Sequence, residues 1–408
     1  MSLKIGTLLL LGVAAIPFIY YGIALFSCWR FFRRPRRSAT GGFTPPVSNL
    51  KPIRGLDPDA YENFASFCRQ DYPDYEILFC VTDVREPALP VIERLQREFP
   101  ERRIRVLIGS GRDAANDKCA KLARLVSEAS HRHVVISDSD VRVRPDYLKS
   151  VMAPLADPRI GAVTCFYLPT EERSFVDRLQ GVGMMSDFYA GIVVAWQLDG
   201  VKFALGPTIA TTRERLAAFG GYEAIENQPG DDLLVGRLIA DQGCEVELSR
   251  YAVETVADFE SIQELVRKRL RWMVVMRHMR PSGHFGLLFT LGLPWALLAV
   301  AVHPTLAVAA IFLGGYFAVR CGITAMIAVW GFDQRSYWRR MALIPLWDAV
   351  AFLVWAASFT QHTIRWRGSD YYIREGKLVP VNPAPADLPA GGLDVVGSGA
   401  RAPVAGEK

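Results

Sequence analysis

Between Ile5 and Trp29 the chain carries no charged side chain, and Arg30, Arg33, Arg34, Arg36 and Arg37 follow at once. About 20 apolar residues are enough to span a bilayer, so this stretch limits the architecture before any finer reading begins. A cleaved signal peptide has a shorter apolar core and a small-residue cleavage site, and no such site precedes the arginines. Residues 1–29 therefore read as a retained transmembrane helix. Positive charge gathers on the cytoplasmic side of such helices. The N-terminus is expected outside, with the basic linker (30–46) and the rest of the globular part in the cytoplasm.

Strong apolar character returns only near residue 284. Phe285–Val302 and Thr305–Trp330 flank His303-Pro304, and Met341–Phe359 is a third segment. Three crossings would leave the C-terminus outside, whereas Arg365 and Arg367 favour the inside. One segment is thus expected to be interfacial or re-entrant, giving a multi-pass membrane region over 284–375 with two to three hydrophobic segments. Residues 376–408, rich in Pro, Gly and Ala, read as a disordered tail.

The part between, 47–283, has the make-up of a soluble domain. The net charge of +5 is modest, and Arg277, Arg280, Arg339 and Arg340 sit beside apolar runs, a placement that suits anionic lipid headgroups. No basic stripe interleaved with aromatics appears, so no nucleic-acid role is expected. Seven cysteines are scattered without a CxxC pair or a Cys/His cluster, as in a reducing compartment. Cys80 and Cys165 lie in apolar runs and read as buried filler.

Within this domain short strands alternate with helical segments. Strands are expected at 47–53, Tyr75–Val81, Arg105–Ile108 and His133–Ser137, with helices at Pro87–Phe99 and Asn116–Ala129. Such alternation predicts an α/β domain with a mostly parallel sheet covered on both faces. Ligands bind such sheets beyond the carboxyl ends of the strands. Asp83 and the pair Asp138-Ser139-Asp140 both fall at such ends.

Two carboxylates spaced i, i+2 after a strand can share one divalent cation, Mg²⁺ or Mn²⁺, which prefers oxygen ligands and bridges to phosphates; a solvated turn has the same spelling. Asp231-Asp232 follows Pro229-Gly230 and opens a helix. One aspartate suffices for a helix cap, and the second is then free to act as a base. Residues 267–272, Arg-Lys-Arg-Leu-Arg-Trp, lie in an amphipathic helix starting near Ser261. Composition leaves two readings open there: a basic face on lipid headgroups, or a guanidinium that meets a diphosphate leaving group.

The order of these motifs resembles the ceramide glucosyltransferase-like family, GT-A fold glycosyltransferases of the family 2/21 type, including bacterial relatives associated with hopanoid biosynthesis. The resemblance runs through VSNLKPIRGLD (47–57), DYPDYEILFCVTD (71–83), NDKCAKL (116–122), ISDSDVRVRPDYL (136–148), DDLLVGRLIADQG (231–243) and TIRWRGSDYYI (363–373). It implies a Rossmann-like GT-A domain with N- and C-terminal transmembrane helices. It also implies an inverting transfer of a hexose, glucose or N-acetylglucosamine, from a UDP-sugar to a ceramide- or hopanoid-type hydroxyl at the cytoplasmic (inner) membrane.

Carried onto this chain, the resemblance assigns Asp83 to the uridine of the donor and Asp138 with Asp140 to the metal–diphosphate. Lys118 belongs with the donor site, Asp232 is the general base, and Asp231 stands at a position that is usually acidic. Arg271 and Trp272 end the Q/R-x-x-R-W motif, whose first position is Lys268 here; lysine keeps the charge and loses the planar fork. Asp140 stands where the animal enzymes resemble D-S-G, which fills out the metal pair. The segment Phe203–Thr212 is implied to lie near the acceptor side, and a buried strand with a Gly-Pro turn explains it equally well. His131, His133 and His278 read as structural or surface residues. Within the enzymes, a processive polysaccharide synthase or a polyprenyl-phosphate glycosyltransferase is the alternative. From another class, an inactive membrane-anchored nucleotide-sugar sensor is the contrasting reading.

Overall fold

A computed structural model gives the fold, described for residues 5–35, 42–256, 259, 261–366 and 369–381. Arg36 and Arg37 of the basic cluster, Arg367 and the stretch 382–408 lie outside the described residues. Eight strands form the main sheet in the order β3-β2-β1-β4-β7-β6-β8-β5: β1 Val47–Pro52, β2 Tyr75–Val81, β3 Arg103–Ile108, β4 His133–Ile136, β5 Val141–Arg142, β6 Ile160–Pro169, β7 Ile209–Thr212 and β8 Glu245–Thr255. β1 pairs in parallel with β2 and β4, and β2 with β3. The carboxyl ends of these four strands therefore share one edge. β7 is antiparallel to β4 and β6, and β6 runs parallel to β8.

β1 and β2 are buried along their whole length; β2 accordingly reads as a largely apolar run, whereas β1 carries Ser48, Asn49 and Lys51 into the interior. One face of the sheet packs on the helices Ala60–Cys68, Leu89–Glu98 and Tyr147–Met152 through Phe64, Phe67, Ile92 and Tyr147. The other face belongs to a core that runs without a break from Leu50 and Ile136 through Phe166 and Tyr189 to Tyr21, Phe31, Ile327 and Trp347. The globular part and the apolar helices are one packed body.

The N-terminal helix covers Ile5–Arg33, interrupted at Ala15 just ahead of Pro17. Of three consecutive stretches, Phe175–Gly183, a π-turn at Met184–Phe188 and Tyr189–Asp199, the last packs along its flank, while Phe175–Gly183 packs on Ile262–Met279 and Tyr337–Ala357. Ile262–Met279 follows as the basic helix, capped by the Ser261 side chain. Of the three expected C-terminal segments, the first is a pair of helices, Pro281–Phe289 and Gly292–Val302, bent by 47°. The others are the continuous helices Leu306–Gly331 and Tyr337–Ala357.

Residues beyond the helices correct one expectation. Residues 377–380, expected within a disordered tail, are a strand instead: Lys377–Pro380 (β11) pairs with β10, Ser369–Arg374, which pairs with β9, Thr363–Trp366. Ile364, Ile373 and Leu378 bury against Val274 and Val275 of the basic helix. The Leu378 N–H donates to the Asn227 carbonyl. A Pro- and Val-containing segment reads as unstructured in sequence, yet burying its apolar residues on a neighbouring helix is enough to order it.

Candidate active site

The parallel strands deliver their carboxyl ends to a cluster of charge. Asp138 follows β4, and its Oδ1 lies 2.6 Å from Lys118 Nζ; the same ammonium is 3.3 Å from Asp231 Oδ2. Lys118 stands in the first turn of the helix Asp117–Glu128, whose N-cap Asn116 accepts from the Cys119 N–H. Asp231 and Asp232 occupy the first turn of Asp231–Ala240, entered through the left-handed Gly230 at φ 71°. The cap position is glycine and makes no side-chain cap bond, so neither aspartate is used up as the N-cap. Asp232 Oδ1 accepts from its neighbour Leu233 N–H at 2.9 Å, and Oδ2 accepts from the Gly206 N–H at 3.0 Å. Each oxygen keeps a second lone pair.

Burial, then Asp231 and Asp138, push the Asp232 carboxyl up to about 7, with Lys118 and the Leu233 N–H pulling the other way. A base near neutrality is poised for proton transfer at working pH. Burial likewise raises Asp140 to about 7, with Asp138 and Asp57 adding to it and Lys268 opposing. Lys268 is thus within electrostatic reach of Asp140. Arg271, one turn further along the basic helix, is near enough to disfavour the Lys268 charge.

The chemistry of the donor set decides what cation it suits. Among the described residues no three His, Cys, Asp or Glu side chains gather as a metal cage, leaving the two carboxylates Asp138 and Asp140. That pair fits a hard cation such as Mg²⁺, which keeps waters and takes its remaining ligands from substrate phosphates. It does not fit an ion held by protein alone.

Some site residues were not singled out in sequence. Lys51, fully buried in β1, donates to the Asp138 carbonyl at 2.9 Å while its ammonium rests 3.6 Å from the Phe67 ring; burial pushes its amine down to about 7. Lys121 is also buried and donates to the Ile53 carbonyl and Thr82 Oγ1. A lysine inside an apolar strand or helix face was the available signal. In Phe203–Thr212, Gly206 lies beside the cluster, its N–H donating to Asp232. Ile209–Thr212 is a buried strand, and the turn before it enters the site. A Cβ on Gly206 would stand 3.1 Å from Asp138 Oδ2 and 3.3 Å from Asp232 Oδ2.

Other expected residues are more loosely placed. Asp83 stands at the end of β2 on the same sheet edge, half-exposed, where the Arg85 N–H and guanidinium hold its carboxyl below the usual range. Trp272 is exposed on the basic helix. His131 contacts Arg103 and His278 bonds the Val274 carbonyl, both ordinary structural roles. The seven cysteines are free, Cys80 and Cys165 among the buried ones.

Known proteins resemble this arrangement. The chain is 22% identical to ceramide glucosyltransferase 1 of Caenorhabditis elegans over 291 residues, 68% of this chain and 62% of that protein. It is 28% identical to the ceramide glucosyltransferase of Gibberella zeae over 196 residues, 45% of this chain and 36% of that one. The chain thus spans less than two thirds of the length of these relatives. The mannosyltransferase PcManGT from Pyrobaculum calidifontis, solved with GDP-Man and Mn²⁺, superposes with a TM-score of 0.53 at 20% identity, covering 84% of this chain and 99% of that one. That likeness bears out the expected GT-A fold with apolar helices at both ends. The family model matched over residues 9–379 makes the chain a member of glycosyl transferase family 21.

Proposed function

We propose that the chain is a glycosyltransferase that moves a hexose from a UDP-sugar to the hydroxyl of a membrane lipid of ceramide or hopanoid type, with inversion. The observation that carries this reading is the cluster of Asp138, Asp231, Asp232 and Lys118 at the carboxyl edge of a sheet whose core continues into apolar helices. An acceptor that stays in the bilayer needs such a site. The lipid oxygen attacks the anomeric carbon, Asp232 takes the hydroxyl proton, and the bond from that carbon to the diphosphate oxygen breaks. Asp138 and Asp140 would hold Mg²⁺ or Mn²⁺ against the donor diphosphate, where the ion offsets charge on the leaving group. Arg271, with Lys268, adds positive charge on the same side, and Asp83 meets the uridine.

The helices fit a catalytic body on the cytoplasmic face of the inner membrane. The chain leaves that body near Arg280 and is back in it at Ser358, whose carbonyl accepts from Arg277, as does that of Gln361 at 2.8 Å. The number of crossings between is therefore even. Gly292–Val302 packs beside Ile5–Ala14 and the start of the Leu306–Gly331 helix, so the bent pair goes out and Leu306–Gly331 comes back. Tyr337–Ala357 starts at Glu172, which accepts from Tyr337 at 2.7 Å, and tracks the basic helix without crossing. This returns Arg365 to the inside.

The test is transfer by detergent-purified protein with a panel of UDP-sugars, a pooled lipid extract and Mg²⁺ or Mn²⁺. A glycolipid carrying one added sugar, lost on adding EDTA, is the expected product. A polymer ladder contradicts the reading in favour of a synthase, and no turnover with any donor favours a sensor.

A further inference from the structure

Lys118, Lys121 and Arg124 follow one another at intervals of three along the helix Asp117–Glu128, so the three cations share one side of it. Each reaches the carboxyl end of a different part of the sheet. Lys118 meets Asp138 beyond β4 at 2.6 Å. Lys121 donates to the Ile53 carbonyl just past β1 at 2.7 Å and to Thr82 Oγ1 just past β2 at 2.8 Å. Arg124 donates to the Ile108 carbonyl at the end of β3 at 2.5 Å, and to that of Gly109 beside it. These strands lie in the order β3-β2-β1-β4, and the cations meet them in that same order, from Arg124 back to Lys118. One helix side thus grips the ends of all four parallel strands, where the ladder no longer supplies partners.

Lys121 is the deepest of the row, its side chain 1% exposed against 13% for Lys118. Its ammonium also pairs with Asp117 at 3.0 Å. Asp117 is the residue before Lys118, as Thr82 is the residue before Asp83. A charge is kept inside only where acceptors surround it. Here the acceptors come from three segments: the turn after β1, the turn that bears Asp83, and the helix start that bears Lys118. A second tie joins only the first two, because Glu86, also buried, accepts from the Gly55 N–H and from the Thr82 N–H at 3.3 Å. Arg54 lies 3.8 Å from Asp117, but its side chain is 47% exposed, and water screens such a pair. Loss of Lys121 therefore leaves the two turns joined to each other and removes their buried tie to the helix start.

We propose that Lys121 is a positioning residue for the nucleotide donor, setting the span between Asp83 on the nucleoside side and Lys118 with Asp138 on the diphosphate side. The assignment rests on the donor reading of those three residues and can be tested apart from it. A ligand held at two points gains from the second only as far as the protein keeps the two at the ligand's own spacing. UDP uses both points, and uridine uses only the first. Lys121 acts on the affinity for UDP and leaves that for uridine alone.

The experiment is titration of the full chain in detergent and Mg²⁺ with uridine and with UDP, read from the ligands' NMR signals. Wild type is expected to bind UDP the more tightly. Lys121→Met keeps the volume of the side chain and removes its charge. Its Kd for UDP is expected to rise about tenfold, and that for uridine to stay within about twofold of wild type. A merely structural loss lowers Tm and leaves the ratio of the two constants where it was. If Lys121→Met does not fold, Thr82→Val removes one of the three acceptors and is expected to raise the UDP constant about threefold, the uridine constant again holding. A ratio that stays at the wild-type value overturns the positioning role, while tight UDP binding by wild type upholds the donor reading. Wild-type protein that binds UDP no better than uridine overturns both.

Discussion

Two buried charge clusters in this molecule are built to opposite rules. In the apolar half, Arg320 meets Asp348 one to one: Nη2 lies 2.5 Å from Oδ1 and Nε 3.0 Å from Oδ2, and the Tyr316 hydroxyl donates to Oδ2 at 2.7 Å. The Ser186 carbonyl accepts from the guanidinium's remaining arm. Side-chain exposures of 3% and 2% show that water takes no part. In the catalytic half, Lys118 faces Asp138, Asp231 and Asp232 together, and Asp140 lies beyond with its proton held near pH 7. The first cluster is neutral and satisfied, so it joins Leu306–Gly331 to Tyr337–Ala357 and to the helix through Ser186. The second sets three carboxylates around the one Lys118 ammonium, an arrangement that stores repulsion for a cationic ligand or a proton to relieve. Balance marks structure here, and imbalance marks chemistry.

Substitutions should separate the two clusters. Arg320→Met leaves Asp348 buried and unpaired, so a loss of about 3–5 kcal/mol is expected in thermal unfolding in detergent. An unchanged Tm would contradict the structural role. Lys51→Met, by contrast, keeps the volume of a buried side chain and removes its charge, so stability should hold. What it removes is the bond to the Asp138 carbonyl. The Mn²⁺ concentration for half-maximal activity is expected to rise about 10–100-fold, and an unchanged metal requirement would show that Lys51 does not position the pair.

The pH profile probes the same imbalance. A base with its pKa raised to about 7 is protonated below that pH, so kcat/KM should fall about tenfold per unit as pH drops under 7 and level off above it. Asp231, Asp138 and Lys118 are the charges that face Asp232. Asp231→Asn removes the larger of the two repulsions, so the midpoint should move to lower pH; a midpoint that stays put detaches the profile from Asp232. The smallest effect is expected for Gly206→Ala, whose Cβ would crowd Asp138 and Asp232. It should cost about 1 kcal/mol of transition-state stabilisation, roughly a fivefold slower rate, with Tm little changed.

What could be read from sequence follows the same division. β2 and β4 announce themselves because strands buried on both faces are dense in apolar residues. β8, Glu245–Thr255, alternates buried and half-buried positions among charges, so it lacks the apolar density that marks β2. The carboxylates were legible because an apolar strand leads into Asp138 and Asp140 and a Pro-Gly turn leads into Asp231 and Asp232 at a helix start. Lys51 and Gly206 were not, since their roles come from contacts made across the fold: a carbonyl held from below, and a backbone that approaches where no side chain fits. Arg320 and Asp348 hid inside apolar windows, although a charge within such a run already points to a buried partner. The docking of the small β9–β11 sheet on the basic helix is likewise a contact that no local pattern reveals.

The most direct measurement is made on Asp232→Asn, with UDP-sugar binding and lipid glycosylation read from the same preparation. Binding should stay within about twofold of wild type, because the amide keeps the shape and its oxygen can still accept from a backbone N–H. Transfer should fall about 10²–10⁴-fold. A variant that binds donor and glycosylates lipid at the wild-type rate would contradict the assignment of Asp232 as the base.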